Sequence, residues 1–202
     1  MFSLAVFVSG RGSNLNSILN APGLSSLIEV KAVVSNKENC PAFDIAKKFS
    51  IPVYCVGNKE GFKSFDELGN LFLALKIELI VLAGFLKLIP AKFIELFKNK
   101  IINIHPALLP SFGGSGMFGM NVHKAVFSSS VQVSGVSVHF VDETYDTGKI
   151  IAQRCVDISD IQSPEELAER VLKIEHQLLP EVVKKFALGK VFVDKSRVRI
   201  IE

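Results

Sequence analysis

Cysteine is scarce in this sequence, and no paired metal-ligand motif occurs. Three cysteines, Cys40, Cys55 and Cys155, are spread along 202 residues without any Cys-X-X-Cys spacing. An odd number of widely separated thiols argues against a disulfide framework and gives no zinc site. We therefore expect a reducing, cytoplasmic environment, no bound metal, and three thiols that are small buried hydrophobes.

Long hydrophobic runs are also absent. The most apolar long run, residues 77–85, is too short to cross a bilayer and contains Glu78 and Gly84. The apolar run 4–8 is too short for a secretory core, and no basic segment precedes it. The sequence therefore predicts a soluble protein with no membrane partner.

Neither sign of charge dominates the chain. The net charge of +3 does not demand nucleic acid, although it would not oppose an anionic substrate. A hydrophobic content of 49% and a charged content of 21% are typical of a globular protein. With no repeat, linker or low-complexity segment, residues 1–202 are predicted to form a single domain.

Short apolar runs alternate with helix signals through the first hundred residues. The β-like runs are 2–8, 28–34, 51–56, 78–83 and 100–104. Between the third and fourth runs, Ser64 and Glu67 form a capping box that opens a helix. Runs that are apolar at almost every position are typical of strands buried on both faces, so the pattern predicts a parallel, doubly wound sheet.

The second half of the chain predicts different elements. Residues 106–120 contain four glycines and two prolines, which predicts a long loop rather than a regular element. Residues 131–142 and 150–156 are strand-like and predict an antiparallel pair. Ser163, Pro164 and Glu166 predict the start of a long helix, and residues 190–201 a small hairpin. On that helix we expect a buried face of Leu167, Val171, Ile174 and Leu178.

A glycine-containing turn follows the first strand. In the run Ser9-Gly-Arg-Gly-Ser-Asn-Leu15, Ser13 or Asn14 can cap the next helix. Such a turn is an anion site, because free N–H groups and the helix dipole favour phosphate. Leu15 stands where a dinucleotide fingerprint needs a third glycine, so a mononucleotide or sugar phosphate fits better. An ordinary strand-to-helix turn is the alternative.

A polar pair closes the fifth apolar run. Asn103 and His105 are two residues apart, so they point to the same side of a strand that ends at Pro106. A neutral amide can stabilise an oxyanion, and an imidazole can hold or move a proton near neutral pH. A pair of satisfied turn residues explains the same pattern. Asp146, in a turn-rich acidic loop, could orient such an imidazole.

Longer motifs connect these pieces. They are Ser9–Leu15, Val33-Val-Ser-Asn-Lys37, Val81-Leu-Ala-Gly-Phe85, Asn103-Ile-His-Pro-Ala-Leu-Leu-Pro110, Gly135-Val-Ser-Val-His-Phe-Val-Asp-Glu-Thr-Tyr-Asp-Thr-Gly148 and Glu175-His176. Through them the chain resembles the folate-dependent phosphoribosylglycinamide formyltransferases. The resemblance implies an α/β fold with a Rossmann-like, mostly parallel seven-stranded sheet and helices on both faces. A phosphate-binding half would span about 1–100, and a folate and catalytic half about 101–202.

The resemblance also implies an activity. The protein would transfer a formyl group from 10-formyltetrahydrofolate, as co-substrate, to the amine of glycinamide ribonucleotide in purine biosynthesis. It implies a cytoplasmic monomer or homodimer with small-molecule partners and no nucleic acid or metal. Another formyl-folate transferase, a formyltetrahydrofolate deformylase and a non-catalytic folate- or nucleotide-binding module are the alternatives.

Site residues follow from the same resemblance. Asn103, His105 and Asp146 would be catalytic, with Asp146 holding His105 charged. Gly12, Ser13 and Asn14 would bind the substrate phosphate, and Glu175 the ribose. Folate would contact Leu86, Lys87, Leu88 and Ile89 together with Val141, Asp142, Glu143, Thr144 and Tyr145. Ser137 and His139 lie in the motif and would support the site, although a purely structural role explains His139 equally well. His123, on the helix predicted to begin at Asn121, is a further candidate from the residues alone, although a lone histidine there is more often structural.

Three features depart from the family pattern. Lys87 stands where many members have arginine, and Leu172 stands where a polar residue is common. The loop 111–120 is longer and richer in glycine than in the shortest members. These departures predict changes in ligand affinity and loop closure without altering the three catalytic residues.

Overall fold

The computed structural model describes residues 1–195 and 197–201. Within them the elements are β1 (Phe2–Val8), α1 (Ser13–Leu19), β2 (Ile28–Ser35), α2 (Ala42–Lys48), β3 (Val53–Cys55), α3 (Phe65–Ala74), β4 (Leu79–Leu82), α4 (Ala91–Leu96), β5 (Ile101–His105), α5 (Met120–Ser128), β6 (Val133–Phe140), β7 (Ile150–Asp157), α6 (Pro164–Ala187), β8 (Val191–Val193) and β9 (Val198–Ile200). The chain divides into two compact units, the first Met1–Asn103 and the second from Ile104 onward. The single-domain organisation stays a prediction.

Seven strands form a mostly parallel sheet with the order β3-β2-β1-β4-β5-β6-β7, which confirms the predicted fold class. β1 pairs in parallel with both β2 and β4, and β6 pairs antiparallel with β7. The chain adds β2 and β3 on one side of β1 and then returns to add β4 and β5 on the other. Because parallel crossovers are right-handed, this reversal places α1 and α2 on one face of the sheet and α3 and α4 on the other.

The core of the first unit is built around β1. Residues Leu4 to Val8 are completely buried, as expected for a strand covered on both faces. The ring of Phe7 meets the rings of Phe72 on α3 and Phe93 on α4 edge-on, with centroids 5.9 and 6.2 Å apart. Edge-to-face pairs add about 0.5–1.5 kcal/mol each beyond their buried area. These contacts fix both helices against the strand that leads into the glycine turn.

The helix N-caps observed in the first unit agree only partly with those predicted from the sequence. The capping box of α3 is confirmed, since Ser64 accepts from the Glu67 N–H and Glu67 accepts from the Ser64 N–H. The predicted Ser13 or Asn14 cap of α1 is wrong. Gly12 occupies that position with a left-handed backbone, φ 77°, and no side chain caps the helix. Both polar residues lie inside the first turn instead.

In the second unit, α6 packs against α5, β6 and β7. Ser163 caps α6 by accepting from the Glu166 N–H, as predicted. The predicted buried face is corrected at one position, because Glu175 is buried and Ile174 is only half-buried. Steps of four, four and three residues from Leu167 lead through Val171 and Glu175 to Leu178. The buried stripe therefore includes the carboxylate.

The loop and the hairpin predicted for the second unit are also present. Residues 106–119 form no helix or strand, and β8 pairs with β9 as a hairpin. Ser196, which falls in the predicted hairpin, lies outside the described residues. The thiols differ from prediction, because only Cys40 is buried and Cys155 is exposed. Cys155 lies on β7, where alternate side chains face solvent. In the described part of the chain, no helix is both long and apolar enough to cross a membrane.

Candidate active site

The glycine turn of the first unit has a left-handed and crowded geometry at Gly12. A Cβ atom on Gly12 would lie 2.6 Å from Cβ of Ala42, and its φ of +77° is one that other residues rarely adopt. Ser13 begins α1, and Asn14 is buried at 7% exposure. The three residues predicted to bind phosphate are therefore contiguous at one helix start, where backbone N–H groups are available to an anion.

Ser9 ties this turn to the loops that follow β2 and β4. Its hydroxyl donates to Oδ1 of Asn36 at 2.7 Å and accepts from the backbone N–H of Leu86 at 3.1 Å. The carboxyl ends of parallel strands at a reversal of strand order are where ligands bind in such sheets. Sequence reasoning placed neither Ser9 nor Asn36 in the site, although both lie in the quoted motifs.

Residues predicted to contact folate after β4 differ in exposure. Leu86 and Leu88 are 46% and 45% exposed, and Lys87 is also exposed, whereas Ile89 is 3% exposed. Leu86 and Leu88 thus offer apolar side chains to a ligand. Ile89 contributes to the packed interior of the first unit.

His105 ends β5 and lies in the second unit. Its ring is 3% exposed, and Nε2 lies 2.8 Å from the carbonyl oxygen of Phe112. Nδ1 lies 3.6 Å from Oδ2 of Asp146. Asn103 precedes His105 by two residues on the same strand and belongs to the first unit.

Asp146 is fixed from several directions. It adopts a left-handed backbone, φ 59°, and Oδ2 accepts from the Gly114 N–H at 2.9 Å. Its other oxygen, Oδ1, lies 3.5 Å from Nε2 of His139. Nδ1 of His139 lies 2.8 Å from the carbonyl oxygen of Phe140. The second unit thus brings together three residues that the sequence predicted separately, His105, His139 and Asp146.

The charge state expected for His105 requires correction. Burial lowers the pKa of His105, and this outweighs the upward effects of the Asp146 carboxylate and the Phe112 carbonyl. Burial tends to raise the pKa of Asp146, but hydrogen bonds from His139 and Gly114 and the charge of His105 lower it overall. The ligand-free site therefore holds an ionised Asp146 beside a mainly neutral His105, because desolvation of the ring dominates their attraction.

Ser137 supports the loop that follows β5. It is fully buried, donates to the Ala107 carbonyl at 2.7 Å and accepts from the Leu109 N–H at 2.9 Å. The side-chain amide of Gln153 on β7 donates to the same hydroxyl and to the Leu109 carbonyl. Gln153 had no sequence signal, because its partners are groups far away in the chain.

His123 lies on α5 and is 6% exposed. Burial lowers its pKa, and repulsion from His105 lowers it further whenever that ring is protonated, so the two rings share one electrostatic environment. Its Nδ1 has no hydrogen-bond partner among the described residues. A neutral imidazole is the form that fits this position.

Hydrogen bonds within the loop stabilise the second segment predicted to contact folate, residues 141–145. Asp142 accepts from the Thr144 N–H at 3.1 Å and from the Thr147 hydroxyl at 2.8 Å. Its carboxylate therefore shapes the loop that carries Asp146. Glu143, Thr144 and Tyr145 are exposed and Val141 is half-buried.

Glu175, predicted to bind ribose, is 9% exposed on α6. Its buried position next to His176, whose pKa is lowered by burial, places a carboxylate in the interior of the second unit. Within residues 1–195 and 197–201, no group of three or more His, Cys, Asp or Glu side chains could hold a metal ion.

Comparison with known proteins identifies the family. Residues 2–183 match the formyl transferase family model. The chain belongs to the formyl transferase family. It is 44% identical over 204 residues to the chloroplastic phosphoribosylglycinamide formyltransferase of Vigna unguiculata, covering 98% of this chain and 65% of the relative. The corresponding Arabidopsis thaliana protein is 44% identical over 185 residues, covering 89% and 63%. The chain thus spans slightly less than two thirds of the length of these curated relatives.

Solved structures agree with this assignment. The crystal structure of phosphoribosylglycinamide formyltransferase from Anaplasma phagocytophilum superimposes with a TM-score of 0.89 at 32% identity. The match covers 100% of this chain and 95% of that one. The fold is therefore that of the formyl transferases.

Proposed function

We propose that the protein transfers a formyl group from 10-formyltetrahydrofolate to the amine of glycinamide ribonucleotide. The products would be formylglycinamide ribonucleotide and tetrahydrofolate, in the synthesis of purines. The observation that carries this proposal is a buried pair of side chains. His105, at the end of β5, lies next to an ionised Asp146, which belongs to the loop after β6. Relatives at 44% identity bear the name of this activity, which supports the choice of acceptor.

The proposed chemistry needs an oxyanion donor and a proton acceptor. Attack of the neutral amine on the formyl carbon gives a tetrahedral intermediate with a negative oxygen. The Asn103 amide and a ring N–H of His105, two residues apart on β5, can donate to that oxygen. Asp146 is ionised and accepts, directly or through water, the proton that the amine loses. As negative charge develops, His105 gains affinity for a proton.

The proposed ligand contacts fall into three groups, which are those to the phosphate of the ribonucleotide, to its ribose and to the folate. Gly12, Ser13 and Asn14 would hold the phosphate at the start of α1. Glu175 would accept from the ribose hydroxyls, because an ionised carboxylate accepts hydrogen bonds. The folate would contact Leu86, Lys87 and Leu88 and residues 141–145, with the buried Ile89 anchoring the first of these segments. The exposed apolar side chains of Leu86 and Leu88 support this assignment.

Cellular location and assembly complete the proposal. Three free thiols are compatible with a reducing compartment, and we propose a cytoplasmic enzyme. The names of the plant relatives place those proteins in the chloroplast. We propose that the protein acts as a monomer or homodimer.

A formyl-transfer assay tests the proposal. Purified protein is mixed with 10-formyltetrahydrofolate, with and without glycinamide ribonucleotide, and release of tetrahydrofolate is followed. Release that depends on the ribonucleotide is the expected result. Release without an acceptor would instead identify a deformylase. Binding of either ligand without release would identify a binding module or a different acceptor.

A further inference from the structure

The glycine-rich loop 106–119 contacts the side chains of both His105 and Asp146 through its backbone. The carbonyl of Phe112 lies 2.8 Å from Nε2 of His105. Two residues later, the N–H of Gly114 donates to Oδ2 of Asp146 at 2.9 Å. The tripeptide 112–114 therefore contacts the imidazole and the carboxylate at the same time.

Chemistry decides which nitrogen of His105 carries hydrogen. A carbonyl oxygen can only accept a hydrogen bond, so the contact at 2.8 Å requires an N–H at Nε2. Nδ1 then faces Oδ2 of Asp146 at 3.6 Å, which is longer than a hydrogen bond. At this separation no hydrogen bond joins Nδ1 to the carboxylate in the ligand-free site. A protonated Nδ1 would draw the two atoms to about 2.7–2.9 Å.

Two features show that the loop is held in this arrangement. Phe112 has a left-handed backbone, φ 56°, which is rare for a residue with a side chain and persists only where the surroundings enforce it. Gly113 fits where no larger residue would, because its Cβ would lie 2.5 Å from Cδ2 of Leu109 and 3.1 Å from Cβ of Asp146. The glycine at position 113 thus lets the loop approach the carboxylate.

We propose that residues 112–114 are the positioning segment of the reaction centre, fixing the hydrogen of neutral His105 on Nε2 and leaving Nδ1, opposite Asp146, as the nitrogen that gains and loses a proton. A proton taken up during turnover enters at Nδ1 and gives an imidazolium paired with Asp146. When that proton leaves, the Nε2–H remains. The Nε2–H reaches a substrate oxygen only by sharing or releasing the Phe112 carbonyl.

The tautomer can be measured directly, without substrate. Protein labelled with ¹⁵N histidine gives long-range proton–nitrogen spectra in which the two neutral tautomers differ. The chain has four histidines, and a His105→Gln variant identifies the signals of His105. We expect neutral His105 to carry its hydrogen on Nε2, with Nδ1 taking up the proton on acidification. A neutral ring with hydrogen on Nδ1, or an even mixture, would overturn the proposal.

Gly113→Ala tests the positioning role in turnover, with Ser115→Ala as the control because Ser115 is an exposed residue of the same loop. We expect Gly113→Ala to mix the His105 tautomers and to lower kcat about 10- to 100-fold, since small displacements of reacting groups have effects of this size. KM for the ribonucleotide should change less than about twofold, because the substitution does not alter the contacts that bind the substrate equally in the ground state and the transition state. Unchanged tautomer and kcat in folded Gly113→Ala protein would overturn the role.

The catalytic part of this inference rests on the proposed function, but the tautomer does not. If wild-type protein shows the Nε2–H ring and transfers no formyl group, the proposed function fails and the positioning of His105 stands. If it transfers formyl groups with hydrogen on Nδ1, the positioning proposal fails alone. Should Gly113→Ala not fold, the wild-type spectrum still decides.

Discussion

Oδ1 of Asp146 lies 3.5 Å from Nε2 of His139, while its other oxygen lies 3.6 Å from Nδ1 of His105. One carboxylate thus faces two imidazoles, one at each oxygen. Nδ1 of His139 is held by the Phe140 carbonyl, so Nε2 is the nitrogen turned to the carboxylate. Burial tends to raise the pKa of the Asp146 carboxyl, but hydrogen bonds from His139 and the Gly114 N–H lower it overall, so Asp146 stays ionised in this buried place.

Asp146→Asn should abolish most turnover while leaving the fold and ribonucleotide binding intact. The amide is isosteric but cannot accept the proton of the attacking amine. We expect kcat to fall about 10²- to 10⁴-fold, the range for loss of a general base. Asp160→Asn, which removes only an exposed pairing with Arg170, is the control. Near-wild-type kcat in the Asp146→Asn variant would remove Asp146 from the mechanism.

Gly12→Ala should weaken ribonucleotide binding and destabilise the protein. Left-handed backbone strain contributes about 1–2 kcal/mol, and the new methyl group would press on Ala42. Gly10→Ala is a matched control, because a Cβ there meets nothing within 4 Å and its φ is not left-handed. Calorimetric titration with the ribonucleotide and denaturant unfolding measure both effects. Equal behaviour of the two variants would contradict the role of Gly12.

Ser137→Ala should destabilise the protein through the loop after β5. Losing the hydroxyl leaves the Ala107 carbonyl and the Leu109 N–H without this partner, and a buried unsatisfied group costs about 1–3 kcal/mol. Ser111→Ala, at an exposed position of the same loop, should stay within about 0.5 kcal/mol of wild type. Urea unfolding near neutral pH compares them. An equal effect at both positions would show that the Ser137 bonds do not stabilise the loop.

His123→Phe should flatten the dependence of stability on pH. The pKa of His123 in the folded protein is lowered from its ordinary value of 6.5, so the unfolded chain binds more protons as pH falls below that value. Acid therefore lowers the free energy of unfolding in the wild type, and the contribution is fully present above pH 6.5. Unfolding experiments at about pH 7.5 and about pH 5 should show a smaller difference in the variant. A slope equal to that of wild type would contradict a buried, neutral His123.

The sequence predicted the side-chain parts of the site better than the backbone parts. Asn103 and His105 stood out because a polar pair at i and i+2 is unusual in an apolar strand that ends at proline. The Phe112 carbonyl and the Gly114 N–H could not be foreseen, since almost every residue carries these groups and only the loop conformation selects them. The helical period predicted Ile174 rather than Glu175 on the buried stripe, because an apolar side chain is the ordinary choice for a buried position.

The most direct test of the account follows the formyl carbon itself. 10-Formyltetrahydrofolate labelled with ¹³C in the formyl group is incubated with the protein and glycinamide ribonucleotide, and the products are examined by NMR and mass spectrometry. The account predicts that the label appears as an amide on the ribonucleotide, at a rate that collapses with Asp146→Asn. Label found as free formate, or retained on the folate, would contradict it.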